Sequence, residues 1–184
     1  MFCRVKTVRA ALWAARVRTT RARSTCPKRR DKEGTGEEVS GMSYAGDKSC
    51  RETWQALETD ENAVLVDVRT TREWDVIGIP DLSSIGKDAL FVEWQMFPAM
   101  DINPDFAGAV DTQLKAMGRD RNVAVFCLCR SGVRSKAAAA ALTALGYARA
   151  YNIDSGFEGI PDENGERAKI NGWQHDGLPW KQKG

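Results

Sequence analysis

The stretch VAVFCLC, residues 123–129, is apolar at every position and breaks off in Arg130-Ser131-Gly132-Val133-Arg134 before an Ala/Leu-rich run from Ser135. A short unbroken apolar run rich in β-branched and aromatic residues predicts a fully buried strand, and the Ala/Leu run predicts a helix closed by Gly146. AVLVDVR, residues 63–69, has the same form and turns charged at its carboxyl end, as a buried parallel strand does. LFVEW (90–94) and ARAYNI (148–153) predict two further strands. Between them lie helical patterns. Ser49 followed by Glu52 reads as a capping box ahead of the apolar pair Trp54 and Leu57. A short helix is expected from Thr71 to Trp74, then a Gly/Pro-punctuated loop, IGIPDLSSIGK. Phe106, Val110, Leu114 and Met117 recur along one face of a helix predicted over 104–117.

Strands alternating with helices of this length predict an α/β fold, a central, mostly parallel sheet of about five strands with helices on both faces. Beyond Asp154 turn residues dominate, and Phe157, Trp173 and Trp180 are expected to plug the core beneath a Gly-rich tail.

A chain of 184 residues has room for one full core, and none of its apolar runs reaches bilayer-spanning length. The formal charge of +2 conceals an asymmetry: residues 1–30 hold ten Lys/Arg and no acid, leaving 17 basic against 25 acidic residues beyond them, a net of −8. An acidic body excludes nucleic acid as the main partner, because phosphate binding needs a basic face. Residues 1–41 are expected to be a disordered basic leader of transit-peptide composition, a basic arm, or a mis-assigned start, with 42–184 forming the domain. The purine-rich codons required by Gly36-Glu37-Glu38 lie shortly before Met42, where a bacterial ribosome-binding site would sit, and favour a start at Met42. A mitochondrial address is expected only if the leader is genuine. Cys3, Cys26, Cys50, Cys127 and Cys129 are odd in number and His175 is the single histidine, so neither a disulfide framework nor a zinc set of familiar spacing is expected. Reduced thiols in a bacterial cytosol are the expectation.

The strand-to-helix reading puts Cys129 at the carboxyl edge of a parallel sheet, where ligands bind in such folds. Unpaired amides at the start of the next helix, the helix dipole, and the charges of Arg130 and Arg134 suit a thiolate or an anionic ligand there. Gly132 permits φ > 0, so the loop amides of residues 130–134 can curl inward as a nest, and Ser131 offers a hydroxyl. A phosphatase loop has Cys and Arg separated by five residues, the Arg acting as a bidentate phosphate clamp. Here Cys129 and Arg134 are separated by four, and Ser135 occupies the clamp position. That spacing disfavours a cysteine phosphatase or arsenate reductase. Cys127 shares a strand face with Cys129 but reads as a small buried hydrophobe, and His175, in the turn-rich tail, as no general base.

The loop CRSGVRS, taken with LVDVRTTREW at residues 65–74, resembles the rhodanese sulfurtransferase family, in particular single-domain versions from alphaproteobacteria. Asp67, Arg69 and Glu73 match its upstream D-x-R-x3-E motif, and are read as supporting charges that orient loops. The resemblance spans roughly residues 44–180 and lacks the His of the family's usual G-H-I-P-G-A stretch, this chain having Ile77-Gly78-Ile79-Pro80-Asp81. It implies that Cys129 takes a sulfane sulfur from thiosulfate or a persulfide donor, carries it as a persulfide, and gives it to cyanide, a thiol or a protein acceptor. Arg130, Ser131, Gly132, Val133 and Arg134 would form the substrate-binding loop. No metal or organic cofactor is implied. The alternative is a relay or binding module that carries sulfur without turning over.

Overall fold

The layers follow from which way successive side chains point along the apolar runs. In the computed structural model, which describes residues 43–184, positions 123–129 are all buried and divide between two cores. Val123, Val125, Cys127 and Cys129 face one side, and Ala124, Phe126 and Leu128 the other. The expectations for residues 1–41 lie outside the described residues.

Along the chain the elements are β1 (Asp47–Lys48), α1 (Cys50–Thr59), β2 (Val64–Asp67), α2 (Thr71–Ile77), β3 (Ile79–Pro80), a 3-10 turn (Ser83–Ile85), β4 (Leu90–Phe91), β5 (Gln95–Met96) and β6 (Asp101–Ile102). There follow α3 (Phe106–Ala116), β7 (Val125–Leu128), α4 (Val133–Ala144), β8 (Ala150–Ile153) and β9 (Trp180–Lys181). Five strands form a wholly parallel sheet in the order β1-β8-β7-β2-β4. β7 is central, with Cys127 level with Val66 on one side and Asn152 on the other.

Phe106, Val110 and Leu114 of α3 and Ala138, Ala139 and Leu142 of α4 cover one face. Leu57 of α1 covers the other together with Leu82, Phe157, Trp173 and Leu178. The expected helix-covered α/β sheet is therefore present, and the segment after β8 supplies part of its second layer. Phe157 and Trp173 are fully buried as expected, but Trp180 is 43% exposed because it belongs to β9, which pairs antiparallel with β3 at the surface. Met117 departs too: it terminates α3 and is 42% exposed.

Both helices that follow β1 and β2 begin in capping boxes. Ser49 and Glu52 bond reciprocally at the start of α1, and Thr70 and Glu73 at the start of α2. α2 runs on to Ile77, three residues beyond the predicted Trp74, and stops at Gly78, whose φ is +104°. LFVEW is a strand only at Leu90 and Phe91, although Val92 and Trp94 still donate to the carbonyls of Asp67 and Val68. Among the described residues no helix is long and apolar enough to cross a membrane.

The end of β2 is fixed by a buried ion pair. Asp67 and Arg69 are both 0% exposed, with Arg69 Nε 3.0 Å from Asp67 Oδ1 and Nη2 2.6 Å from Oδ2. Arg69 Nη2 also donates to the Gly78 carbonyl at 2.8 Å, and the guanidinium lies 3.9 Å from the Phe157 ring centroid. One side chain thus ties β2, the end of α2 and the segment after β8. Arg69→Ala is expected to destabilise the domain by about 3–5 kcal/mol, because it strands a buried carboxylate as well as removing the ties. Urea unfolding checks this, and a loss below about 1 kcal/mol, the size of an exposed pair's contribution, would refute the bracing role.

Candidate functional site

The ladder of β7 stops at Leu128, and four residues, Cys129 to Gly132, carry the chain into α4. The helix begins at Val133, two residues ahead of the Ala-rich run, because Gly132 adopts φ +88° and turns the backbone into the helix. A Cβ on Gly132 would lie 1.9 Å from the Asp154 carbonyl oxygen. Gly156, at φ +65°, also presses on the loop: a Cβ there would stand 2.5 Å from the Ser131 nitrogen. Two glycines therefore let two backbones touch.

That contact consumes carbonyls and leaves amides. The Cys129 carbonyl accepts from Phe157 N–H at 2.8 Å, and the Arg130 carbonyl accepts from Glu158 and Gly159 N–H at 3.0 and 3.2 Å. With its carbonyls turned toward the segment after β8, the loop points Gly132 N–H at Cys129 Sγ, 3.2 Å away. Cys129 is 1% exposed and lies on the α3/α4 side of the sheet. Ser131 is half-buried in the loop, and Val133 is 76% exposed beside it.

The charged residues are brought to the loop but are matched with acids. Arg134 forms a two-pronged pair with Glu73, Nη1 to Oε2 at 2.8 Å and Nη2 to Oε1 at 2.6 Å. The same carboxylate accepts from Thr70 N–H at 2.9 Å, so it caps α2 and holds the first turn of α4 at once. Burial opposes the charge on Glu73, but the Arg134 hydrogen bonds and the Thr70 amide outweigh it and hold the carboxyl at about 2. Burial likewise opposes the charge on Arg134, and Glu73 more than restores it, pushing the guanidinium up. Arg130 Nε is 3.0 Å from Glu158 Oε2, a Coulombic pair whose N–H is not aligned for a hydrogen bond. Asp67 and Arg69 lie behind the site, in the interior, so among the three motif charges only Glu73 reaches the rim.

The sequence reading missed four residues that the fold links to Cys129 in one hydrogen-bonded chain. Ser135 Oγ, fully buried in the first turn of α4, is 3.1 Å from Cys129 Sγ and 2.7 Å from Asn152 Oδ1. Asn152 Nδ2 donates to Asp47 Oδ1 at 2.8 Å, and Tyr44 donates to the same oxygen at 2.7 Å. The Asn between Tyr151 and Ile153 in a predicted strand was the available signal, since a buried polar side chain needs a partner.

The other two thiols among the described residues, Cys127 and Cys50, face no such loop. Cys127 is fully buried and its thiol is pushed well up, by burial first and by the neighbouring Cys129 second. Cys50, at the start of α1, is pushed up to about 12 by burial and lies 3.3 Å from Ser155 Oγ. His175 stays in the tail beside Asp176. Among the described residues no three His, Cys, Asp or Glu side chains gather as a metal site would require.

A family model described as the STR4 middle domain matches residues 45–183. The uncharacterized protein RC0915 of Rickettsia conorii is 38% identical over 128 residues, which are 70% of this chain and 90% of that protein. Rhodanese-like domain-containing protein 4, chloroplastic, of Arabidopsis thaliana is 26% identical over 135 residues, 73% of this chain but 25% of that protein. The crystal structure of Rv0390 from M. tuberculosis has a TM-score of 0.67 and 41% identity, covering 77% of this chain and all of that one. The matched span contains every element described above, from β1 to β9, and with them Cys129 and its loop. The chain belongs to the STR4 middle-domain family, a rhodanese-like family.

Proposed function

We propose that the chain is a single-domain sulfurtransferase of the bacterial rhodanese type, with Cys129 as the sulfur carrier. The observation that carries this reading is Gly132 N–H aimed at Cys129 Sγ from a four-residue turn at a helix N-terminus. A preorganised amide at that point stabilises negative charge on sulfur without having to reorganise during the reaction. In the first half-reaction Cys129 attacks the outer sulfur of thiosulfate, the S–S bond breaks and sulfite leaves. In the second, an acceptor takes that sulfur and the thiolate returns. The donor is a small sulfur anion or a persulfide, and the acceptor is cyanide, a thiol or a protein thiol. A reducing bacterial cytosol suits Cys50, Cys127 and Cys129, which among the described residues form no disulfide.

The paired rim supports sulfur over phosphate. Both Arg134 prongs are committed to Glu73, so the guanidinium has no fork left for a phosphate. Arg134 and Arg130 act chiefly by holding the loop, with their charge offset by Glu73 and Glu158. A relay module carrying the same persulfide to one protein partner uses the same site, and differs from the enzyme only in failing to discharge to small acceptors.

Mass spectrometry after incubation with thiosulfate is expected to show one added sulfur on Cys129, absent from Cys129→Ser. Failure to load from thiosulfate and from a low-molecular-weight persulfide would sink the sulfurtransferase reading. Rapid discharge of the loaded protein by cyanide and by thiols separates enzyme from relay.

The Glu73 clasp adds a pH dependence. Its folded-state carboxyl is held at about 2, below the ordinary 4.5, so its stabilisation is complete above about pH 4.5 and is lost as pH falls toward 2. Glu73→Gln is expected to cost about 2 kcal/mol in urea unfolding at pH 7, with the gap from wild type narrowing steadily below pH 4.5. An equal gap at pH 7 and pH 3 would show that the charge is not what holds Arg134.

A further inference from the structure

We propose that Ser135 is a catalytic residue for sulfur release: its hydroxyl turns from Asn152 to Cys129 Sγ as the sulfur–sulfur bond breaks, and returns to Asn152 when the persulfide forms again. The proposal rests on the sulfur-transfer reading above.

It starts from a proton count. Ser135 Oγ is within hydrogen-bonding distance of two acceptors, Asn152 Oδ1 at 2.7 Å and Cys129 Sγ at 3.1 Å, and a hydroxyl has one proton to give. Asn152 cannot reverse its amide to relieve the competition. Its Nδ2 is drawn to Asp47 Oδ1 at 2.8 Å, an oxygen that also receives the Tyr44 hydroxyl at 2.7 Å. Asp47 is held below the usual carboxylate range by the Asn152 bond first and the Tyr44 bond second, so it only accepts. With its amino group committed to Asp47, Asn152 presents its carbonyl oxygen to Ser135. The order of donors is therefore fixed from the surface inward up to Ser135, whose proton alone has a choice.

The charge on Sγ makes that choice. In a persulfide the inner sulfur, Sγ, is neutral and the negative charge sits on the outer sulfur. Ser135 then donates to Asn152, the shorter contact. During discharge to cyanide, the cyanide carbon bonds to the outer sulfur and the Sγ–S bond breaks with its electron pair remaining on Sγ. Cys129-S–S⁻ and CN⁻ become Cys129-S⁻ and SCN⁻, with no oxidant, reductant or net proton needed. One negative charge has moved onto Sγ, within reach of Ser135. The hydroxyl rotates to the new anion, adding a second donor to the Gly132 amide at 3.2 Å.

An asymmetry between half-reactions follows. In discharge Ser135 meets charge that is growing on Sγ, and so stabilises the transition state relative to the persulfide. In loading the charge is leaving Sγ, so the bond from Ser135 stabilises the starting thiolate and contributes nothing to the forward step. A merely structural Ser135 would affect both halves alike.

Single-turnover measurements on the full chain test this. Loading is followed as sulfite released from thiosulfate, and discharge, after excess donor is removed, as thiocyanate formed on mixing with cyanide. Ser135→Ala is expected to discharge about 10- to 100-fold more slowly, the worth of a hydrogen bond to a charged group, while loading at a rate within about threefold of wild type. Ser135→Thr and Ser135→Val form a second comparison of matched shape, in which the Thr protein should discharge like wild type and the Val protein like Ser135→Ala. This pair carries the test if the smaller side chain impairs folding. Discharge at the wild-type rate in Ser135→Ala or Ser135→Val, or equal slowing of both half-reactions, overturns the proposal. Absence of loading in the wild-type protein is a different result, and overturns the sulfur-transfer reading itself.

Discussion

The constraint on which the site depends is a backbone one: the chain must leave a strand buried on both sides and enter a helix within four residues. Such a turn can be this short only if another segment supplies the hydrogen bonds its carbonyls lose. Residues 156–159 do so, and the positive φ of Gly132 and Gly156 lets the two segments approach until a single added methyl would collide with main-chain atoms. The outcome at Cys129 is set by subtraction. Carbonyls are satisfied on one side, so the amide left over faces the sulfur.

Charge is used around this turn mostly to hold it. Glu73 joins the cap of α2 to the first turn of α4, Glu158 faces Arg130 across the contact between loop and tail, and Arg69 reaches from Asp67 to Gly78 and Phe157. Pairs of this kind return little net stability when both partners are present, because desolvation offsets attraction, yet they punish the loss of one partner heavily. That makes them better suited to fixing positions than to strengthening the fold. It also explains why a loop rich in arginine presents much less positive charge than its sequence suggests.

Much of the frame was legible in advance. β2 and β7 announced themselves as apolar runs, ARAYNI pointed to β8, the Ser49 box marked α1, and Phe106, Val110 and Leu114 marked the buried face of α3. The position of Cys129 at a sheet edge followed from the strand-to-helix pattern alone. What escaped was whatever depends on partners distant in sequence. β1 and β9 are two residues each, too short to show a period, and exist because β8 and β3, far off in sequence, are in place beside them. Glu73 was singled out by motif, but nothing in the sequence showed that it would hold Arg134, 61 positions away, and Asn152 was hidden within a strand.

Cys127 and Cys129 show how narrowly the chemistry is localised. They share a residue type, a sheet face and nearly complete burial, and stand one pleat apart. Cys127 is level with Val66 and Asn152, inside the ladder, where main-chain amides are committed to neighbouring strands. Among the described residues no spare donor reaches its sulfur, and burial drives its thiol toward the neutral form. One pleat further the ladder has ended, the next amides belong to a helix start, and Gly132 and Ser135 both lie within hydrogen-bonding distance of the sulfur. The difference between an inert thiol and a candidate carrier is thus the change in backbone partners at the edge of the sheet. A cysteine shifted by two residues along the same strand would keep its packing and lose its donors.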